Sequence, residues 1–188
     1  MATTKKEAIQ EAALKLFVAD GIDATSIRSI AEEADTAEGN IYRHFKSKND
    51  LARTIFLNCA TKFRNSLKES VQDLSDPRQQ IERLIRTIFE FSLEHKLEFS
   101  YIMIANHRDE IITQDLLAKP LPKDVFADTL RAGREQELFQ FTESTIAVAW
   151  IVGMVQRSII FMQRNITSLE PEQVINETVQ AVLGMLKP

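Results

Sequence analysis

The chain has 188 residues, of which 44% are hydrophobic and 27% charged, with a formal net charge of −4 at pH 7. With five Gly, five Pro and no Ser, Gln or Gly tract, this composition excludes a disordered, collagen-like or low-complexity protein and leaves room for one domain, or a small one attached to a larger one. The opening stretch MATTKKEAIQEAALKLF breaks every apolar run with charge, so no secretory signal is expected; the single Cys59 excludes an internal disulfide and suits a reducing cytoplasm.

Helix follows helix, without the Val/Thr/Tyr alternation of a strand, so the fold class is all-α. A first helix starts at Thr4, which stands to Glu7 as in a capping box, sets Ile9, Ala13, Leu16 and Phe17 on one face, and ends at Gly21. A second begins near Ser26 and buries Ile27, Ile30, Ala31 and Ala34; after a break at Asp35 and Thr36, a third runs from about Ala37 to His44. The fourth opens at Ser47, with Asp50 three residues on, and carries Leu51, Ile55, Cys59, Phe63, Leu67 and Val71 over about six turns.

Leu74 to Gln80 forms the next boundary, and Arg78 to Glu94 is amphipathic through Ile81, Leu84, Ile85, Ile88 and Phe89. From Phe99 onward the apolar residues are large and frequent. Pro120 and Pro122 punctuate a loop and start a helix to about Gln136, and two last helices span about Thr142 to Arg164 and Pro171 to Leu186. Within the former, the apolar run from Ile146 is interrupted by Gln156 and Arg157 after about ten residues, short of the roughly 20 a membrane span needs. No membrane helix is expected, and a helix apolar on nearly all sides is buried against its own domain and often a partner chain.

The second and third helices have the size and spacing of a helix-turn-helix. At about 100° per residue, Ala37, Ile41 and Phe45 share one arc and face the core, while Gly39 and Arg43 point outward, flanked by Thr36, Asn40 and Tyr42. A glycine inside a helix costs about 1 kcal/mol relative to alanine, and facing outward it makes sense where another molecule approaches the backbone, as a major groove does. Asn40 and Arg43 can donate to base edges, and Tyr42 and His44 to phosphate oxygens. Lys48 and the amides at the start of the fourth helix can hold a further phosphate. Ser26 and Arg28, at the start of the second helix, complete the candidate DNA-facing set. Residues 1 to 50 carry seven Lys/Arg against nine Asp/Glu, so distribution matters more than the sum: Gly39 to Asn49 holds Arg43, Lys46 and Lys48 and no acid.

The stretch SIRSIAEEADTAEGNIYRHFKSKNDL, Ser26 to Leu51, resembles the DNA-binding head of the TetR family of transcriptional repressors. That pattern runs I-A-x-x-A, G-x-I/L-Y-x-H/Y-F and K-x-x-L, and Ile30, Ala31, Ala34, Gly39, Ile41, Tyr42, His44, Phe45, Lys48 and Leu51 match it, with Phe17, Gly21 and Thr25 fitting upstream. Two departures are visible. Asp35, Thr36 and Ala37 replace a frequent Gly-Val-Ser, which makes Thr36 or Asp35 the expected capping side chain. Glu38 stands where a basic residue is common, either solvated or accepting from a cytosine amino group.

The resemblance implies residues 1–47 as the DNA-binding domain and 48–188 as a helical effector-binding and dimerisation domain, with helix 48–72 as connector. It further implies a homodimer on a pseudo-palindromic operator, released by a small-molecule effector, most simply acting as a repressor. The small residues Ala147, Ala149 and Gly153, and the face Ile175, Val179, Val182 and Leu186, agree with a dimer interface. Candidate effector-lining residues are Phe89, Met103, Phe126, Trp150, Met154 and Phe161, with Tyr101 and His107 as polar tips that fix orientation; the inventory favours an apolar or aromatic effector.

His44, His95, His107 and Cys59 make no metal-ligand spacing, and no phosphate loop or nucleophile motif is present, so neither an enzyme, a metal site nor a cofactor is expected. The rival reading is a dimeric helical adaptor that kept the head without binding DNA.

Overall fold

The computed structural model describes residues 4–105 and 110–187, leaving aside the Ile104 side chain. His107 therefore lies outside the described residues. The described chain is all-helical: α1 Lys5–Ala19, α2 Ile27–Glu33, α3 Glu38–His44, α4 Lys48–Val71, α5 Pro77–Glu94, α6 Lys96–Ala105, α7 Gln114–Leu117, α8 Pro122–Glu135, α9 Ser144–Gln163 and α10 Pro171–Met185. Helices α1 to α5 and α8 to α10 fall where periodicity and caps place them. The Thr4–Glu7 capping box forms in both directions, and α4 is capped reciprocally, with Asp50 N–H donating to Ser47 Oγ (3.1 Å) and Lys46 N–H to Asp50 Oδ2 (2.9 Å). The separate helix α6 and the short α7 are not marked in the sequence. Glu94, His95 and Lys96 contain neither Gly nor Pro, yet the chain bends at His95, whose carbonyl accepts from Phe99 N–H (2.9 Å) to begin α6 anew.

The helices pack as two compact units, one from Met1–Lys62 and His95–Pro120, the other from Phe63–Glu94 and Leu121–Pro188, and α4 runs through the border. Packing thus cuts the chain at a different place from the functional division expected at 47/48.

In the first unit α1 packs on α2, α3 and α6. Its centre is Phe17, fully buried, with the Tyr101 ring of α6 stacked on it at 5.9 Å between centroids. Tyr101 is also fully buried, and its hydroxyl donates to the Ala52 carbonyl of α4 (2.9 Å), so one side chain ties α6 to both α1 and α4. In the second unit α5 packs on α8, α9 and α10 through Ile81, Leu84, Ile85 and Phe89, meeting Phe126, Leu130, Ile151, Val155 and Val182 in the core. Arg86 links α5 to α10 by an ion pair to Glu172 (2.7 Å), and Glu82 of its own helix also pairs with it (3.1 Å).

Helix α9 is, by length and composition, apolar enough to cross a membrane, although only 28% of its most apolar window is buried within the chain. Ala147, Val148, Ile151, Val155 and Ile159 face α5, α8 and α10, while Ile146, Trp150 and Phe161 stand exposed. It therefore lies on its own unit along one side and leaves an apolar stripe on the other.

The turn that delivers the head's second helix depends on Gly21, whose φ of +85° is a left-handed conformation. Thr25, buried behind it, donates from its hydroxyl to Gly21 O (2.8 Å) and Leu16 O (3.3 Å). Gly21→Ala places a Cβ in that region at a cost of about 1–2 kcal/mol. A fall in Tm of about 2–4 °C or more by differential scanning calorimetry is expected.

Candidate nucleic-acid interface

The site is built on the turn between α2 and α3. Helix α2 starts at Ser26, whose hydroxyl accepts from Ser29 N–H (3.0 Å), and ends in a Schellman arrangement: Asp35 N–H donates to Glu32 O (3.2 Å) and Thr36 N–H to Ala31 O (2.9 Å). The residue that turns the chain is Asp35 at φ +46°, a position aspartate tolerates better than most L residues. Lys5 Nζ donates to the Asp35 carbonyl (2.7 Å), bracing the turn from α1.

The capping expectation at Thr36 or Asp35 is corrected here. The N-cap of α3 is Ala37, with no side-chain hydrogen bond; Asp35 serves the end of α2, and Thr36 Oγ1 accepts from Asn40 Nδ2 (2.9 Å). Nor does Ala37 face the core: as an N-cap in extended conformation it is exposed, because helical angular spacing does not reach a residue outside the helix. With no cap, the first-turn acid Glu38 supplies the favourable charge at this N-terminus.

Beyond that point the helical wheel holds. Ile41 and Phe45 are buried, and Lys6 Nζ lies 5.7 Å from the centre of the Phe45 ring. Gly39, Tyr42, Arg43 and His44 are exposed, and a Cβ built on Gly39 would meet nothing within 4 Å. The outward backbone at Gly39 is thus bare for reasons unrelated to the protein's own packing. Asn40 is held ready by Thr36, and Tyr42 presents 56% of its surface beside it.

Two candidates have partners that change their roles. Arg28 pairs with Glu32 (3.0 Å), and that hydrogen bond, the Glu32 charge and then the Glu38 charge hold its guanidinium above the ordinary arginine range; contact with phosphate would have to draw it from Glu32. Lys48 Nζ donates to the carbonyls of Thr25 (2.8 Å) and Asp23 (3.1 Å), so it clamps the α1–α2 loop to the start of α4, leaving one of its three protons for phosphate. Lys46 is exposed in the same acid-free stretch; on α1, Lys5 braces the turn and Lys6 lies near the Phe45 ring, and the sequence signal for these two is only a basic pair at a helix start.

The effector candidates are scattered. Phe89 and Phe126 are buried in the core of the second unit, Tyr101 in that of the first, Met103 and Met154 are half-buried, and Trp150 and Phe161 stand out on α9. None of these lines either cleft described below. Of the dimer candidates, Ala147, Val179, Val182 and Leu186 are buried within the chain and Ile175 is half-buried, whereas Ala149 and Gly153 join Ile146, Trp150 and Phe161 on the outward stripe of α9.

One cleft, of 190 Å³, lies among α1, α4 and α6, lined by Gln10, Leu14, Ile55, Cys59, Lys62 and Glu98 among others. Burial, the largest influence, would push Glu98 up, but the 2.6 Å bond from Lys62, a backbone hydrogen bond and the charges of Lys62 and His95 together hold it below the usual carboxylate range. Burial pushes the Cys59 thiol up to about 12, so at neutral pH it is protonated and unsuited to nucleophilic or metal chemistry. Among the described residues, no group of three His, Cys, Asp or Glu is placed to hold a metal. A second cleft, of 350 Å³, lies between α4 and α8.

Gly39→Ala and Lys48→Met separate binding from folding. The first is expected to raise stability by about 1 kcal/mol, since the new methyl group meets no protein atom, while weakening DNA binding. The second is expected to lower stability by about 1 kcal/mol or more through loss of the loop clamp. Thermal unfolding and DNA-binding assays on the same preparations check both.

Comparison with known proteins agrees with this geometry. The family "Bacterial regulatory proteins, tetR family" matches residues 9–55. The HTH-type transcriptional regulator SAR2658 of Staphylococcus aureus (strain MRSA252) is 27% identical over 107 residues, 57% of this chain and 58% of that protein. The match spans 51–58% of the length of this and two other curated regulators. Among solved structures, a TetR family transcription regulator from Marinobacter aquaeolei VT8 superposes with TM-score 0.84 at 19% identity, covering 97% of this chain and 95% of that one. The regulator FadR from Bacillus subtilis, in complex with stearoyl-CoA, superposes at 0.78 and 16% identity, covering 95% and 98%. These proteins are transcriptional regulators and not enzymes, and at such identities the solved structures speak for the fold. The α1–α4 head, over residues 9–55, is thus similar to the tetR family of bacterial regulatory proteins, and the helices follow the course of a solved TetR family regulator throughout.

Proposed function

We propose that the protein is a cytoplasmic, homodimeric transcriptional regulator, most simply a repressor, in which residues 1–47 read DNA and residues 48–188 dimerise and bind a small-molecule effector. The observation that carries the reading is the outward face of α3. Gly39 leaves the backbone open to a close-approaching surface, with Asn40 and Arg43 able to reach base edges and Tyr42, His44 and Lys46 able to reach phosphates. The net acidic charge is no obstacle, because the stretch from Gly39 to Asn49 carries no acid and a dimer presents it twice.

The stripe Ile146, Ala149, Trp150, Gly153 and Phe161 supports dimerisation through α9: it is apolar along one side of the helix except at exposed Arg157, and small at Ala149 and Gly153 where a second helix can approach. A two-fold arrangement sets two α3 helices about 34–36 Å apart, matching half-sites one turn of DNA apart. The effector is proposed to have an apolar or aromatic part and to prefer the state that does not bind DNA, which is all that release requires. The stearoyl-CoA bound by the Bacillus subtilis FadR, a fatty acyl chain on an anionic carrier, fits such a ligand class.

The test starts from DNA selected out of a random pool by the purified protein. Binding followed by fluorescence anisotropy is expected to weaken steeply with salt; Lys46→Ala is expected to lower affinity evenly across sequences and reduce the slope by about 1.8, one phosphate contact being lost in each protomer. Arg43→Ala is expected to relax discrimination at one base pair in each half-site, at about 1–3 kcal/mol per half-site. A salt-independent interaction, or unchanged discrimination in Arg43→Ala and Asn40→Ala together, contradicts the assignment. Trp150→Glu is expected to give a monomer in analytical ultracentrifugation, and a persisting dimer contradicts the α9 interface.

A further inference from the structure

The 350 Å³ cleft of the second unit has two unlike walls. On α4, Arg64, Lys68 and Val71 follow one another at helical spacing; on α8, Asp124, Val125, Asp128 and Thr129 do the same. The opposite charges of the two walls do not pair. Asp124 Oδ2 accepts from Leu121 N–H (2.7 Å) at the N-terminus of its own helix, with Lys123 Nζ 4.0 Å from Oδ1. Asp128 Oδ1 accepts from Arg131 (3.0 Å). Each carboxylate is thus offset within α8, whereas neither Arg64 nor Lys68 has an ion-pair partner among the described residues. Moreover, Arg64 Nε is shut off from solvent without an acceptor.

A buried, unsatisfied guanidinium N–H costs more than a solvated one; among the described residues Arg53 Nε is in the same state outside the cleft, so it is the cleft position and the unpaired Lys68 beside it that single out Arg64. Stability alone would favour an apolar side chain at position 64, because half-buried Arg64 brings desolvation without a compensating bond. The surplus of positive charge on α4 is what an oxyanion would neutralise. With Nε shut off from solvent, the two Nη groups are the donors of Arg64 that can meet a carboxylate or phosphate, and Lys68, one turn away, offers a second cation. Val71 and Val125 supply apolar contacts for the rest of a small molecule, while Asp124 and Asp128 disfavour a second negative group.

We propose that Arg64 and Lys68 form a binding site for the single oxyanion, carboxylate or phosphate, of a small-molecule ligand in the α4–α8 cleft. This deepens the effector reading and rests on it only for its consequence; the binding itself needs no DNA. A ligand here would engage the same continuous helix whose first turn follows α3.

The experiment titrates the full-length protein, without DNA, with inorganic phosphate, benzoate and octanoate by calorimetry and thermal shift. Saturable binding of at least one probe is expected, weakened roughly tenfold or more in Arg64→Leu and in Lys68→Gln, unchanged in the surface variant Arg83→Gln, and strengthened in Asp128→Asn. Binding of phosphate alone assigns a phosphate ester, and binding of benzoate or octanoate assigns a carboxylic acid. Without ligand, Arg64→Leu is expected to melt no lower than the native protein, since it removes an unpaired buried donor, which marks a residue kept for binding. Absence of saturable binding by all three probes, or full retention of it in Lys68→Gln and Arg64→Leu, overturns the proposal, whatever the protein does with DNA.

Discussion

The burial of Ile41 and Phe45 is the constraint on which the rest depends. A seven-residue helix cannot hold itself together in water, so α3 exists because these two side chains are pinned in the head's core beneath α1. Once they are inside, Gly39 and Arg43 can only point out. Asp35 adds the second condition: in a left-handed conformation it closes α2 and directs the chain into α3, while Lys5 holds its carbonyl from α1. Orientation of the reading face is therefore a property of the head's core and its turn, and not of the exposed residues themselves.

Much of this was legible in the sequence because it rests on period and caps. The Thr4–Glu7 box, the Ile30, Ala31 and Ala34 face, Ser47 with Asp50, and Pro122 and Pro171 at their helix starts all act locally, through neighbours within four residues. What the sequence hid is non-local. Lys48 meets the Asp23 and Thr25 carbonyls across more than twenty positions, Tyr101 meets Ala52 and Phe17, and the α5–α6 bend at His95 has no Gly or Pro to announce it. Ala37 failed for the opposite reason, since a periodic argument was extended one residue beyond the helix it describes. Val179, Val182 and Leu186 show the same ambiguity in the body: an apolar face has one pattern whether it meets its own core or another chain, and here those residues meet their own.

The charges sort into structural and available ones by the same reasoning. Arg28 and Arg86 are engaged with carboxylates, and Lys5 and Lys48 with backbone carbonyls, so each contributes to shape before anything else. Arg43 and Lys46 on the head and Arg64 and Lys68 in the α4–α8 cleft have no such partner among the described residues. A cation that could be satisfied internally and is not is the common feature of the two surfaces assigned to ligands, one for a polyanion and one for a small oxyanion.

The central claim is that the outward face of α3 lies in a major groove. Methylation interference at guanine N7, which projects into that groove, tests it directly on DNA selected by the protein. The account predicts two clusters of interfering guanines related by two-fold symmetry and about 10–10.5 base pairs apart centre to centre, with the pattern altered in the same way in both clusters in Arg43→Ala. Binding that is indifferent to N7 methylation throughout the site would contradict it.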